Sequence, residues 1–282
     1  MRVTLIAWLF VAMLQLSAQQ TGGTDSVASI LGRMKGEKWV QRQNAFGRAT
    51  DLLSASQTSP ADADRLRLGI IQLLERENSG GLKEPDDVPP ANYTEGYGED
   101  KSEYYASLIG FVGHMDDERA IPALLGAATT GEMATRAVAR FGKHALNPTL
   151  TQARGRDPHL AAGALSVVRD MLEFGLVTDQ ESLFQIKKAL VSALRSPEFE
   201  VRLGAMSAIE YMDDRDEFVP MLKEIAEHDP VRLPGRPDDG GDNGKFYPAR
   251  LHARRLLEKI AGHQRPAVDS GLPSSEYQPI KP

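Results

Sequence analysis

The densest concentration of ligand-type side chains is the run Asp238-Asp239-Gly240-Gly241-Asp242-Asn243-Gly244. Carboxylates and amides crowded this closely suggest calcium, a hard cation that takes oxygen ligands. A helix-loop-helix calcium loop starting at Asp238 needs oxygen side chains at its third and fifth positions and glutamate at its twelfth. The chain has Gly240, Asp242 and Ala249 there, so the pattern fails at two of the three. The run reads as an acidic turn, with an irregular calcium site as the lesser alternative. His114, His144, His159, His228, His252 and His263 are scattered, and none forms H-x-x-x-H or H-E-x-x-H, the spacings that aim two imidazoles at one metal. There is no G-x-S-x-G and no glycine-rich phosphate loop. With no cysteine in the chain, thiolate nucleophiles, cysteine zinc sites and disulfides are excluded. The expectation is a non-enzymatic protein with no cofactor and no metal.

Binding chemistry is better represented. Two segments rich in Gly, Pro and Asp, 77–101 and 229–247, interrupt an otherwise periodic chain. Long irregular insertions in compact domains are unusual and tend to carry function or to be disordered. Tyr93, Tyr97, Tyr104 and Tyr105 gather at the first, and Phe246 and Tyr247 hold the corresponding place at the second. Tyrosine joins a large contact area to a polar tip and so anchors interfaces, but it also pins loops to the helices beneath, the reading favoured for Tyr105 and Phe246. The candidate partner-binding residues are Tyr93, Tyr97, Asp100, Tyr104, Asp239, Asp242 and Tyr247.

The elements that must position these residues are helices. In Glu198–Met212, the residues Val201, Ala205, Ala208, Ile209 and Met212 recur at helical spacing and form one apolar stripe. Leu183, Ile186, Leu190, Val191 and Leu194 repeat the pattern. No alternating run is long enough for a strand. Ser59-Pro60, Asp157-Pro158 and Ser196-Pro197 each set a capping side chain before a proline, and Thr178 with Glu181 has the spacing of a capping box. About twelve helices follow, grouped as about six antiparallel pairs. The first members are near 24–35, 60–76, 118–128, 144–153, 179–195 and 216–228, and their partners near 37–54, 102–115, 132–142, 158–174, 199–213 and 248–261. Both insertions fall between the first and second helix of a pair, which in a stack puts them on one rim.

The chain also repeats itself. Gly163-Ala164-Leu165-Ser166 matches Gly204-Ala205-Met206-Ser207 at the same helical phase. Met115-Asp116-Asp117 leads to Ile121-Pro122-Ala123-Leu124 as Met212-Asp213-Asp214 leads to Val219-Pro220-Met221-Leu222, with one residue inserted. Repeated helical pairs imply a solenoid, because each pair can cover its apolar face only by stacking on the next. The stretch from Val112 to Leu125, with Asp116-Asp117 before Ile121-Pro122, resembles a HEAT-like repeat of the kind found in phycobilisome lyases; Glu200-Val201-Arg202 and Ala205 resemble the start of that repeat's second helix. The resemblance covers roughly 102–228 and implies a right-handed α-solenoid of about six HEAT-like pairs. It also implies that Arg136 and Arg202 bridge to acids of the adjacent turn. No histidine is followed by glutamate, which sets aside the di-iron hydroxylases that resemble HEAT stacks.

At the N-terminus, Arg2 precedes an apolar stretch from Thr4 to Leu16, and Leu16-Ser17-Ala18 reads as a small-residue cleavage site. This is the layout of a secretory signal peptide, shorter than the roughly 20 apolar residues of a spanning helix. The expected organisation is a signal peptide at 1–18, a helical stack at 19–262 and a Pro-rich flexible tail at 263–282. The full chain has a formal net charge of −6, which argues against nucleic acid as a partner. Together these lead to an exported scaffold or binding module, periplasmic or extracellular, that takes a protein or peptide partner and does not enter the membrane once cleaved. The alternative is an enzyme, or a ligand- or chromophore-binding lyase-like protein, built on the same stack.

Overall fold

The computed structural model describes residues 26–36, 39–55, 58–80, 97–234 and 245–262. The proposed signal peptide and tail lie outside them. Twelve α-helices occur among the described residues: α1 Val27–Arg33, α2 Trp39–Ser54, α3 Pro60–Gly80, α4 Tyr97–Gly113, α5 Ile121–Ala127, α6 Glu132–Ala139, α7 Lys143–Ala153, α8 Pro158–Glu173, α9 Gln180–Leu194, α10 Phe199–Ile209, α11 Val219–His228 and α12 Pro248–Ala261. Among the described residues the strands are two residues each and form an antiparallel ladder in the second insertion: β1 Leu233–Pro234 pairs with β2 Lys245–Phe246, Leu233 opposite Phe246. No described helix is long and apolar enough to cross a membrane.

The chain divides into two compact units, 1–105 and 106–282, the division falling inside α4. In the first, α1 packs on α2, and α3 packs on both. Its core includes Ile30, Met34, Leu66, Ile70, Ile71, Leu73 and Leu74, all at 2% exposure or less. Inside it, Arg42 Nη1 lies 3.3 Å from Glu77 Oε1, an ion pair between α2 and α3.

The second unit is four helical pairs in series, α5–α6, α7–α8, α9–α10 and α11–α12, each packed within itself. The even-numbered helices form one layer, α6 against α8, α8 against α10 and α10 against α12. The first members contact along the other layer, α5 with α7 and α7 with α9. The stripe residues Val201, Ala205, Ala208, Ile209 and Met212 are all buried, so each pair gives its apolar face to its neighbours.

The matched glycines show why the layer is tight. A Cβ at Gly163 would stand 3.1 Å from the Ala128 backbone, and one at Gly204 would stand 3.1 Å from Leu165 Cβ. A larger side chain at either would force apart successive pairs. The second self-match is also structural. Both acidic turns run into a short 3-10 helix, Glu118–Ala120 or Arg215–Phe218, and then an α-helix with proline near its start. The inserted residue is absorbed by the longer 3-10 segment.

Two expected caps are corrected. The cap of α9 is Asp179, whose carboxylate accepts from Ser182 N at 3.0 Å, not Thr178. Helix α10 starts at Phe199, as its expected bound has it, but with Glu198 rather than Ser196 at the N-cap, and the carbonyls of Ser196 and Pro197 accept from Arg202 Nη1 at 2.6 and 2.8 Å. Those carbonyls serve a guanidinium instead of a first helical turn. The caps at Asp157 and Ser59 hold, with Asp157 Oδ1 accepting from His159 N at 2.9 Å and Ser59 Oγ accepting from Asp62 N at 3.2 Å.

Candidate functional site

Of the residues singled out at the insertions, Tyr93, Asp239 and Asp242 lie outside the described residues. Tyr97 and Asp100 begin α4, but their side chains also lie outside the description. Tyr104 is a correction. Its ring is 1% exposed, edge-on to Phe46 at 6.3 Å, and its hydroxyl donates to the Met34 carbonyl at 3.1 Å. Burial, and secondarily the Glu77 carboxylate, push its pKa well above the usual phenol range. A ring so enclosed has no face for a partner. Tyr105 ties α4 to the last turns of α3, its hydroxyl donating to Asn78 Oδ1 at 2.6 Å. Tyr247 is half-buried beneath Arg250, whose guanidinium carbon lies 4.4 Å from the ring centroid.

The second insertion starts from a closed anchor. Arg202 Nε and Nη2 both lie 2.7 Å from Asp229 Oδ2, and the two side chains are 7% and 2% exposed. Asp229 Oδ1 accepts from Val231 N at 3.0 Å, and its carbonyl accepts from Arg250 Nε at 2.7 Å. Arg202 therefore ties α10 to the exit of α11, and Arg250 ties that exit to α12. A buried carboxylate is stable only when it is paired in this way. Arg136 behaves differently from the expectation, pairing with Glu132 on its own helix at 2.8 Å and lying 5.9 Å from the Phe174 ring centroid.

A second polar cluster crosses the even-numbered layer. Asp170 of α8 is fully buried and accepts from Thr135 Oγ1 of α6 at 2.6 Å and from Arg169 Nη2 at 2.6 Å. Glu173 lies one turn on, 3.9 Å from Arg169 Nε, and accepts from the hydroxyl of Tyr211, just past α10. Burial raises both carboxyls above their ordinary values, against the opposing pull of Arg169 on each and of Thr135 on Asp170. Burial and the Glu173 charge push the Tyr211 phenol up to about 12. The next step is Glu210, which pairs with Lys259 of α12. Sequence reading passed over this cluster. The available signal was Arg169-Asp170 set inside the apolar run of α8.

Tyr211 leads to the cleft. About 420 Å³ in volume, it lies where the turn after α8 and the start of α9 meet the turn after α10. These turns join successive pairs, so the cleft sits at the opposite end of the helices from the second insertion. Leu172, Val177 and Met212 are buried at its base, whereas Phe184 of α9 is 68% exposed on its wall. Lys187, Asp213 and Asp214 supply a charged rim. Asp214 Oδ2 lies 3.0 Å from Lys187 Nζ, which also pairs with Glu217. Phe184 stands one residue outside the stripe formed by Leu183 and Ile186, and periodicity alone does not say which flanking residue meets water. Among the described residues no three His, Asp or Glu gather as metal ligands.

No family model matches the chain, and no curated protein matches it. Solved structures do, at a distance. A designed armadillo repeat protein in complex with the peptide (KR)4 is 12% identical with a TM-score of 0.35, covering 82% of this chain and 98% of its own. An engineered protein is 14% identical with a TM-score of 0.38, over 85% of this chain and all of its own. A second designed armadillo repeat protein is 13% identical with a TM-score of 0.32, over 88% and 98%.

Proposed function

We propose that the protein is an exported, non-enzymatic scaffold of HEAT-like pairs that holds a protein or peptide partner, with the cleft at Phe184 as its principal contact. The supporting observation is the exposure of that ring, 68%, directly beside an apolar slot with a charged rim. Covering a phenylalanine side chain gains about 1.5–3 kcal/mol, on the order of ten- to a hundredfold in affinity. Apolar anchors with a polar surround are the usual centres of peptide contacts. The insertions at 77–101 and 229–247 are a second candidate contact, and the N-terminal segment supports export by its layout.

Selection of displayed peptides against the full chain tests this reading. Enriched peptides should bind the parent and lose most of that affinity on Phe184→Ala, while Met133→Ala, at another exposed apolar residue (54%), leaves binding unchanged. Peptides that bind Phe184→Ala as well as the parent would refute the cleft as the contact. Export is tested by the mass of the mature protein, expected to begin at Gln19. The rival, a ligand-binding or catalytic stack, draws support from the raised Glu173 carboxyl and Tyr211 phenol beside the cleft. It predicts a small molecule that competes with the peptides and whose binding fails on Tyr211→Phe.

A further inference from the structure

Resting on that reading of the cleft, we propose that its occupant is a peptide segment carrying an aromatic or branched apolar side chain beside a lysine or arginine. The slot supplies the apolar half of the recognition. Its base is Leu172, Val177 and Met212, at 5, 4 and 4% exposure, so no charge lies at the bottom and Phe184 is the part that water reaches. A side chain entering there exchanges hydration for dispersion contacts and leaves no polar group unpaired at the base.

The rim supplies the charged half. The turn following α10 reads Asp213-Asp214-Arg215-Asp216-Glu217, and all four of its acids are exposed. Asp213 and Asp214 line the slot together with Lys187. Lys187 of α9 is shared between Asp214 and Glu217, and Arg215 donates through Nη1 to the Glu210 carbonyl at 3.1 Å. The charged lining of the slot is two carboxylates and one ammonium, so its mouth carries more negative than positive charge, within a chain whose overall charge is −6. A lysine or arginine beside the anchoring residue meets this excess of carboxylate, while an aspartate or glutamate meets like charge. Because the rim is open to solvent, the charge term sets preference more than affinity and is screened by salt.

Short labelled peptides with one central leucine, flanked by lysines, glutamines or glutamates, are titrated with the full chain and read by fluorescence anisotropy. The lysine peptide should bind roughly fivefold tighter than the glutamine peptide, with the glutamate peptide weakest. That ranking should collapse in high salt and in the combined variant Asp213→Asn, Asp214→Asn, Glu217→Gln, whose helicity is checked by circular dichroism. Phe184→Ala should weaken every peptide that binds. If the peptides bind equally and all weaken on Phe184→Ala, the preference for cations is overturned while the cleft stands. If Phe184→Ala changes none of them, the cleft itself is overturned. Self-association of the parent that Phe184→Ala abolishes would make the occupant a second copy of the chain, which also overturns the proposal.

Discussion

The two ends of the helices in the second unit solve opposite problems. At one end, the long insertion after α11 leaves the stack through Asp229, whose three oxygens all have partners: Arg202 on one carboxylate oxygen, Val231 N on the other, Arg250 on the carbonyl. At the other end, short turns between pairs leave Phe184 in water beside a slot of about 420 Å³. The entrance to the longer, more conspicuous segment is thus fixed by buried charge, and the compact turns leave apolar surface uncovered. Length of insertion and availability for binding are separate properties, because the first depends on chain and the second on what the neighbouring pair covers.

Variants can break or sharpen this contrast. The largest effect belongs to the closed end. Arg202→Ala leaves Asp229 buried without its guanidinium and should lower unfolding free energy by about 3–5 kcal/mol in denaturant titration. A loss below about 1 kcal/mol would mean that the anchor is not structural. Between the ends lies the Asp170–Glu173 cluster. Its carboxyls are raised in the fold, so the native state keeps protons that the unfolded chain has already released. The stability they contribute is complete below the ordinary carboxyl range, about 4, and is lost as pH rises through their higher native values. The denaturation midpoint should fall across that window, and Asp170→Asn should flatten the fall. A midpoint that rises there, or an unchanged slope in the variant, would contradict the assignment.

Smaller effects belong to the open end. Lys187→Ala removes a solvent-screened pair with Asp214 and Glu217 and should lower the denaturation midpoint only slightly, less still in high salt. Phe184→Ala should change stability by no more than about 0.5 kcal/mol, since a largely exposed side chain contributes little to the core. A loss of several kcal/mol would show that the ring is a packing residue and that the cleft is incidental.

Much of the fold was legible because its signals are local. Apolar spacing placed the helices, and Asp157-Pro158 and Ser59 marked their starts through short-range bonds. The cap of α10 was not legible, because Arg202 claims the carbonyls of Ser196 and Pro197 and Glu198 takes the N-cap position. Tyr104 proved to be core through partners in α2 and just beyond α1, far away in sequence. The cleft escaped notice for the same reason: its wall and base come from three separate segments whose meeting is set by the stacking of pairs.

The most direct test compares the two ends in one experiment. Peptides selected on the parent are measured against Phe184→Ala and, in parallel, against a chain lacking residues 235–244 of the second insertion. Binding that is lost in the first and kept in the second is the predicted result. Binding kept on Phe184→Ala and lost with the insertion would move the site to the other end of the helices and contradict the assignment.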